Sequence, residues 1–235
     1  MSDPVDVVLV PGFWLGGWAW DGVAPYLAQH GIRPHPVTLP GRRPGPVVRT
    51  TLEHHVAALR EVVAGLDGAV VLVGHSAGAT SVNALADAMP DRIDRLVFVD
   101  DGPLPDGGRF PFELPGRAKA LPLPAWPELE RMGLSTAGID PATLAEFRRR
   151  AVAEPIGVVR TQARWTNPAR KQVPATVLCC STPGGVLNEA VRDGAPFTAE
   201  LAGRDLTLVD LPTGHWPMFS RPQDLAAAIH LATTQ

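Results

Sequence analysis

The stretch Val70-Val71-Leu72-Val73-Gly74-His75-Ser76-Ala77-Gly78-Ala79-Thr80 constrains this chain more than any other. Apolar, largely β-branched residues run into Gly-x-Ser-x-Gly, and alanine-rich sequence continues to Ala88. The first part reads as a buried strand and the last as a helix. At such a strand-to-helix turn the serine hydroxyl is thrown outward, because the flanking glycines keep side chains out of the tight packing. Unpaired N–H groups at the helix start lie close to it. Ser76 therefore reads as a nucleophile, with a plain Gly/Ser turn as the structural alternative.

The rest of the chain has to supply such a serine with a sheet and with partners. At 235 residues it suits one large α/β domain. Strands are expected over Val5–Val10, at a short, proline-interrupted edge in Ile32–Leu39, and over Leu96–Val99, Ala175–Cys180 and Leu206–Leu211. Helical spacing over Trp18–His30, Thr51–Leu66, Ala79–Ala88 and Pro222–Leu231 alternates with them, which predicts a mostly parallel sheet flanked by helices. The alternation lapses between residues 103 and 172, where proline and glycine crowd the first part and two short helices follow. Trp126, Met132, Phe147 and Trp165 would form the apolar underside of this insertion, which reads as a small lid.

A net charge of −3 with dispersed basic residues excludes a nucleic-acid footprint. The adjacent Cys179 and Cys180 cannot bridge each other and lack zinc-ligand spacing, so they read as buried thiols in a reducing compartment. Met1-Ser2-Asp3-Pro4 leads straight into a strand, without the basic and apolar regions of a signal peptide or a membrane span. A cytoplasmic protein with a small-molecule partner is expected. Arg42 and Arg43, in the Pro40–Pro46 loop, read as solvated surface charge, and His54 and His55 as surface or cap residues.

Serine needs a base, and His215 is the histidine placed to provide one. Alone among the seven, it occupies a glycine-flanked loop directly after the last strand, on the sheet edge that carries Ser76. Asp100-Asp101 ends an earlier strand where open α/β sheets place ligands. Pro11-Gly12-Phe13-Trp14 lacks both the P-loop lysine and GxGxxG spacing, and reads as a backbone-donor loop beside the serine.

In these pieces the chain resembles the α/β-hydrolase superfamily. The resemblance is to its small single-domain branch of esterases, methyl esterases and hydroxynitrile lyases. It rests on Pro11-Gly12-Phe13-Trp14, Thr38-Leu39-Pro40-Gly41, Thr51-Leu52-Glu53-His54-His55-Val56, Gly74-His75-Ser76-Ala77-Gly78, Leu96-Val97-Phe98-Val99-Asp100 and Thr213-Gly214-His215-Trp216-Pro217-Met218. It implies one α/β-hydrolase domain over 1–235 with a lid insertion at 103–172, and an oxyanion hole from the Phe13 and Ala77 N–H groups. One departure stands out: the loop Cys180-Ser181-Thr182-Pro183-Gly184-Gly185, where relatives usually carry the acid, has no carboxylate. A second family pattern puts the acid at the end of the preceding strand, at Asp100. Asp101, Asp193 and a Ser/His dyad are the alternatives.

The implied activity is hydrolysis of an ester, lactone or thioester of a small apolar molecule through an acyl-enzyme, with no metal or organic cofactor. A lyase or cyclase using His215 as base, and a non-catalytic small-molecule receptor, share the fold. Trp14, Trp126, Trp165, Trp216 and Phe219 are candidate pocket walls, with plain core packing as the alternative. The sequence is compatible with a homodimer.

Overall fold

The structure, a computed structural model, describes residues 4–234, so Met1-Ser2-Asp3 of the expected lead-in lies outside the described residues. Six parallel strands form the central sheet: β1 (Asp6–Val10), β2 (Arg33–Pro36), β3 (Val70–His75), β4 (Ile93–Val99) and two further strands introduced below. After β1 the chain makes a short 3-10 turn and the helix α1 (Ala24–Gln29), so the expected Trp18–His30 helix is divided. Gly31, at φ 74°, ends it. The helices α2 (Leu52–Ala64) and α3 (Gly78–Ala88) flank β3.

The insertion that follows β4 holds a two-stranded antiparallel pair, β5 (Ala120–Leu121) and β6 (Glu154–Pro155), and three helices. These are α4 (Trp126–Arg131), α5 (Pro141–Arg150) and α6 (Ile156–Val159). Its underside is apolar as expected at Phe147, which is buried, but Met132 is exposed. The sheet resumes with β7 (Ala175–Cys179), then α7 (Gly184–Arg192) and β8 (Leu206–Asp210). The short α8 (Pro217–Ser220) and the closing α9 (Pro222–Thr233) complete the chain. Strand order is β2-β1-β3-β4-β7-β8. The central strands β1, β3, β4 and β7 are covered on both faces, which is why they read as continuous apolar runs, whereas β2 lies at an edge and tolerates Pro34 and Pro36.

Parallel strands bring every β-to-α loop to one end of the sheet. The loops after β1, β3, β4 and β8 therefore gather Phe13, Ser76, Asp100 and His215 at the same edge. The insertion closes on this edge from two sides. The Val152 N–H bonds the Trp14 carbonyl at 3.0 Å, and the His215 N–H bonds the Ser135 carbonyl at 2.8 Å. Gly214 permits the second contact, since a Cβ there would lie 2.6 Å from the Ser135 oxygen.

At the opposite end, buried Asp6 accepts from Arg33 Nη2 at 2.6 Å and meets His35 Nε2 at 2.6 Å, tying β1 to β2. The Arg33 bond, against the opposing effect of burial, holds Asp6 at about 2, below its ordinary 3.8. A depressed folded-state pKa stabilises the fold fully above the unfolded value and loses that contribution as pH falls through the folded one. In acid denaturation, Asp6→Asn should be less stable than the parent above about pH 4, and the gap should close between about pH 4 and pH 2.

Candidate active site

Ser76 follows β3 with φ 51°, in the left-handed region that a residue with a Cβ occupies at a cost of roughly 1–3 kcal/mol. The surroundings hold it there. Its N–H bonds the Val99 carbonyl at 3.1 Å, extending the β3–β4 pairing by one residue, and its carbonyl accepts from the Ala79 N–H at 2.8 Å. Both motif glycines are required by close approach. A Cβ on Gly78 would sit 2.7 Å from the Val10 oxygen, and one on Gly74 would sit 2.8 Å from the Gly78 oxygen. The turn can exist only where these backbone segments pass this closely.

His215 Nε2 lies 3.0 Å from Ser76 Oγ, and His215 Nδ1 lies 2.7 Å from Asp100 Oδ2. A carboxylate can only accept, so Nδ1 carries the proton and Nε2 is left to take one from the serine. Asp100 also has a positive φ, 61°, while its N–H continues the ladder to the Leu178 carbonyl at 2.9 Å. Its Oδ1 accepts from the Ser181 and Cys180 N–H groups and from the Ser181 hydroxyl. Burial opposes the charge on Asp100, but His215 and Ser181 outweigh it and hold the carboxyl below the ordinary carboxylate range. The loop that lacks an acid thus supplies donors to an acid from the neighbouring strand. Asp193 is exposed at the C-terminus of α7. Asp101 bonds the Gly102 N–H at 2.9 Å, so neither alternative carboxylate joins the relay.

Two further histidines, His75 and His55, are buried near the site, and His55 departs from the surface or cap position expected of it. His75 is fully buried, and its Nε2 donates to the His215 carbonyl at 2.8 Å, bracing the loop that carries the base. Burial, with the neighbouring His215, pushes it down to about 3, so it is neutral. His54 does cap α2, but His55 faces inward and donates to the Pro40 carbonyl at 3.1 Å. Burial first, and the Arg42 charge second, push His55 down to about 3. Arg42 corrects the expectation of solvated charge: it is 2% exposed and paired with buried Glu154, while Arg43 is exposed. No local pattern separates Arg42 from Arg43, because only the insertion's Glu154 makes the difference.

A cavity of about 530 Å³ opens beside Ser76, walled by Leu104, Phe110, Val177, Leu187 and Leu201. Asp101 and Arg109 are the charged side chains beside its apolar walls other than Asp100. None of the five expected aromatic walls lines it. Trp14 is buried with φ 66° and packs edge-on to Phe112. Trp216 is wedged between His215 and Phe147. Trp126 packs on Phe147 beneath the Arg148 guanidinium, and Phe219 stacks on Trp18 at a separate groove. Trp165 reaches the cavity only through its wall, its Nε1 bonding the Leu104 carbonyl at 3.0 Å.

Phe13 and Ala77 flank the serine from the loops expected to carry them, and both are buried. Among the described residues, neither N–H has a protein acceptor. Gly12 presses the loop against the nucleophile, since a Cβ there would be 3.0 Å from Ser76 Cβ. Burial pushes the Cys179 thiol up to about 11 and Cys180 higher still, away from the thiolate form. Among the described residues no cluster of three or more His, Cys, Asp or Glu could hold a metal, and no helix is long and apolar enough to cross a membrane.

Residues 7–228 match a model described as the alpha/beta hydrolase family. Lipase LipV of Mycobacterium tuberculosis is 30% identical over 97% of this chain and 93% of its own length. A pyrethroid hydrolase of Sphingobium wenxiniae is 31% identical, but the match spans 40% of this chain and only 35% of that protein. The crystal structure of an Arabidopsis methylesterase superposes with a TM-score of 0.77 over 98% of this chain and 99% of its own, at 18% identity, a likeness of fold.

Two substitutions test the relay. Asp100→Asn should lower kcat for ester turnover by about 10²- to 10⁴-fold, because it removes the charge that orients and stabilises the imidazole. Asp193→Asn should leave kcat within about twofold in the same assay.

Proposed function

Because the chain belongs to the alpha/beta hydrolase family, we propose that it hydrolyses a carboxylic ester of a small, largely apolar molecule through an acyl-enzyme. The observation that carries this reading is the unbroken relay from Asp100 through His215 to Ser76 Oγ, with bonds of 2.7 and 3.0 Å, at the mouth of an apolar cavity. His215 Nε2 takes the Ser76 proton as Oγ attacks the carbonyl carbon. The imidazolium so formed lies against the Asp100 carboxylate, which bears the opposite charge.

The tetrahedral oxyanion is received by the Phe13 and Ala77 N–H groups, which have no protein acceptor among the described residues and so are free to donate. His215 then returns its proton to the departing alkoxide, and the alcohol leaves. Water, deprotonated by the same nitrogen, attacks the acyl-Ser76 ester and releases the acid. The substrate's apolar group occupies the cavity walled by Leu104, Leu187 and Leu201. In this reading the insertion over residues 103–172 acts as a lid. Free, buried Cys179 and Cys180 suit a reducing cytoplasm. A non-catalytic receptor has no need of an acid on the histidine, so the Asp100 bond to His215 Nδ1 favours the hydrolase over it.

The parent should turn over short p-nitrophenyl esters and become labelled by a fluorophosphonate, and Ser76→Ala should abolish both. A parent that neither labels nor turns over any ester in a panel of acyl lengths refutes the hydrolase assignment.

A further inference from the structure

The loop motif Leu39-Pro40-Gly41-Arg42 has no role in the relay, yet its arginine is among the most deeply buried charges of the chain. Gly41, at φ 81°, turns the loop inward, and a Cβ there would lie 2.5 Å from Pro155. The His55 ring anchors the turn through the Pro40 carbonyl. Arg42 then reaches under the loop that follows β1. Its Nη1 donates to both the Pro11 and Gly12 carbonyls at 2.8 Å. Its Nε lies 2.9 Å from Glu154 Oε2 and its Nη2 is 3.2 Å from Oε1. Glu154 Oε2 in turn accepts from the Trp14 N–H at 3.4 Å.

We propose that the Arg42–Glu154 pair is a positioning clamp that aims the Phe13 N–H at the reaction's oxyanion; the inference rests on the ester-hydrolase reading above. In a trans peptide the carbonyl and the following N–H point in opposite directions. Gripping the Gly12 carbonyl therefore fixes the direction of the Phe13 N–H, away from the guanidinium. A charge-assisted bond to that carbonyl also polarises the peptide and strengthens its N–H as a donor. Glu154 occupies the next N–H, that of Trp14, and so holds this residue at its positive φ of 66°. The clamp's carboxylate stands on β6 and Leu121, on β5, accepts from Trp14 Nε1 at 3.1 Å. The insertion is thereby built into the donor loop from below.

A clamp that acts on the transition state should affect kcat and leave KM nearly unchanged. Arg42→Met leaves Glu154 buried without a partner and should destabilise the fold as well as lower kcat. The Arg42→Met/Glu154→Met double variant removes both charges from the apolar site. Its melting temperature should recover toward that of the parent, with kcat still reduced by roughly 10²-fold and KM within about threefold. A purely structural pair would instead restore kcat together with stability. Arg42→Lys keeps the charge but loses the fork that spans two carbonyls and a carboxylate, and should lower kcat by about tenfold. Exposed Arg43→Met is the control and should match the parent.

Ester hydrolysis by an active parent, with kcat within about threefold in the folded double variant or in Arg42→Lys, overturns the clamp and leaves the hydrolase reading standing. A parent inactive on every ester overturns both. Arg42→Lys keeps the test decisive if the double variant does not fold.

Discussion

Ser76 occupies a backbone conformation that no residue with a Cβ adopts freely, and the tertiary structure around it is arranged so that it has no alternative. The Val99 carbonyl holds its N–H, the start of α3 holds its carbonyl, and Gly74 and Gly78 let neighbouring backbone come within contact distance of the turn. Trp14 and Asp100 are the other non-glycine residues with positive φ among those described, and both border the same site. Strain of roughly 1–3 kcal/mol at each is therefore concentrated where side chains and N–H groups must project in unusual directions. Only a well-packed sheet can bear it, and β1, β3 and β4 are buried along their apolar runs.

The electrostatics follow from the same crowding. The edge of the sheet excludes water from Asp100, which raises the cost of its charge, and the protein offsets that cost with His215 and the donors of Cys180 and Ser181. His75 faces the opposite outcome: buried with one bond to a carbonyl, it stays neutral and serves as a brace. Histidines 75 and 215 meet ring to ring at 4.9 Å, yet they differ in role because only one of them touches a carboxylate. Arg42 and Glu154 repeat the logic one layer below, where a buried pair satisfies backbone groups of the loop after β1.

Much of this was legible in the sequence, and the residues that were not share a physical reason. Alternating apolar runs and amphipathic helices mark the strands and helices because their periods are local properties. The elbow and His215 were legible because turn chemistry and position after a strand are local too. The aromatic residues were less informative. Trp14, Trp126, Trp216 and Phe219 supply packing among themselves and their neighbours, while the cavity beside Ser76 is walled by leucines, a valine and Phe110. Bulk and hydrophobicity make a residue suitable for a pocket wall and for a core alike, and only the fold distinguishes the two.

The sequence by itself determined the mostly parallel sheet, the sharp serine turn and the histidine that follows the last strand, since each is marked by residues a few positions apart. The tertiary structure decided which carboxylate serves the base, because the choice between Asp100 and Asp193 depends on which loop end meets His215 across the sheet edge. It also decided that Arg42 is buried while Arg43 is exposed. That outcome depends on Glu154, 112 residues away, and on an insertion whose irregular chain carries no periodic signal of where it will pack.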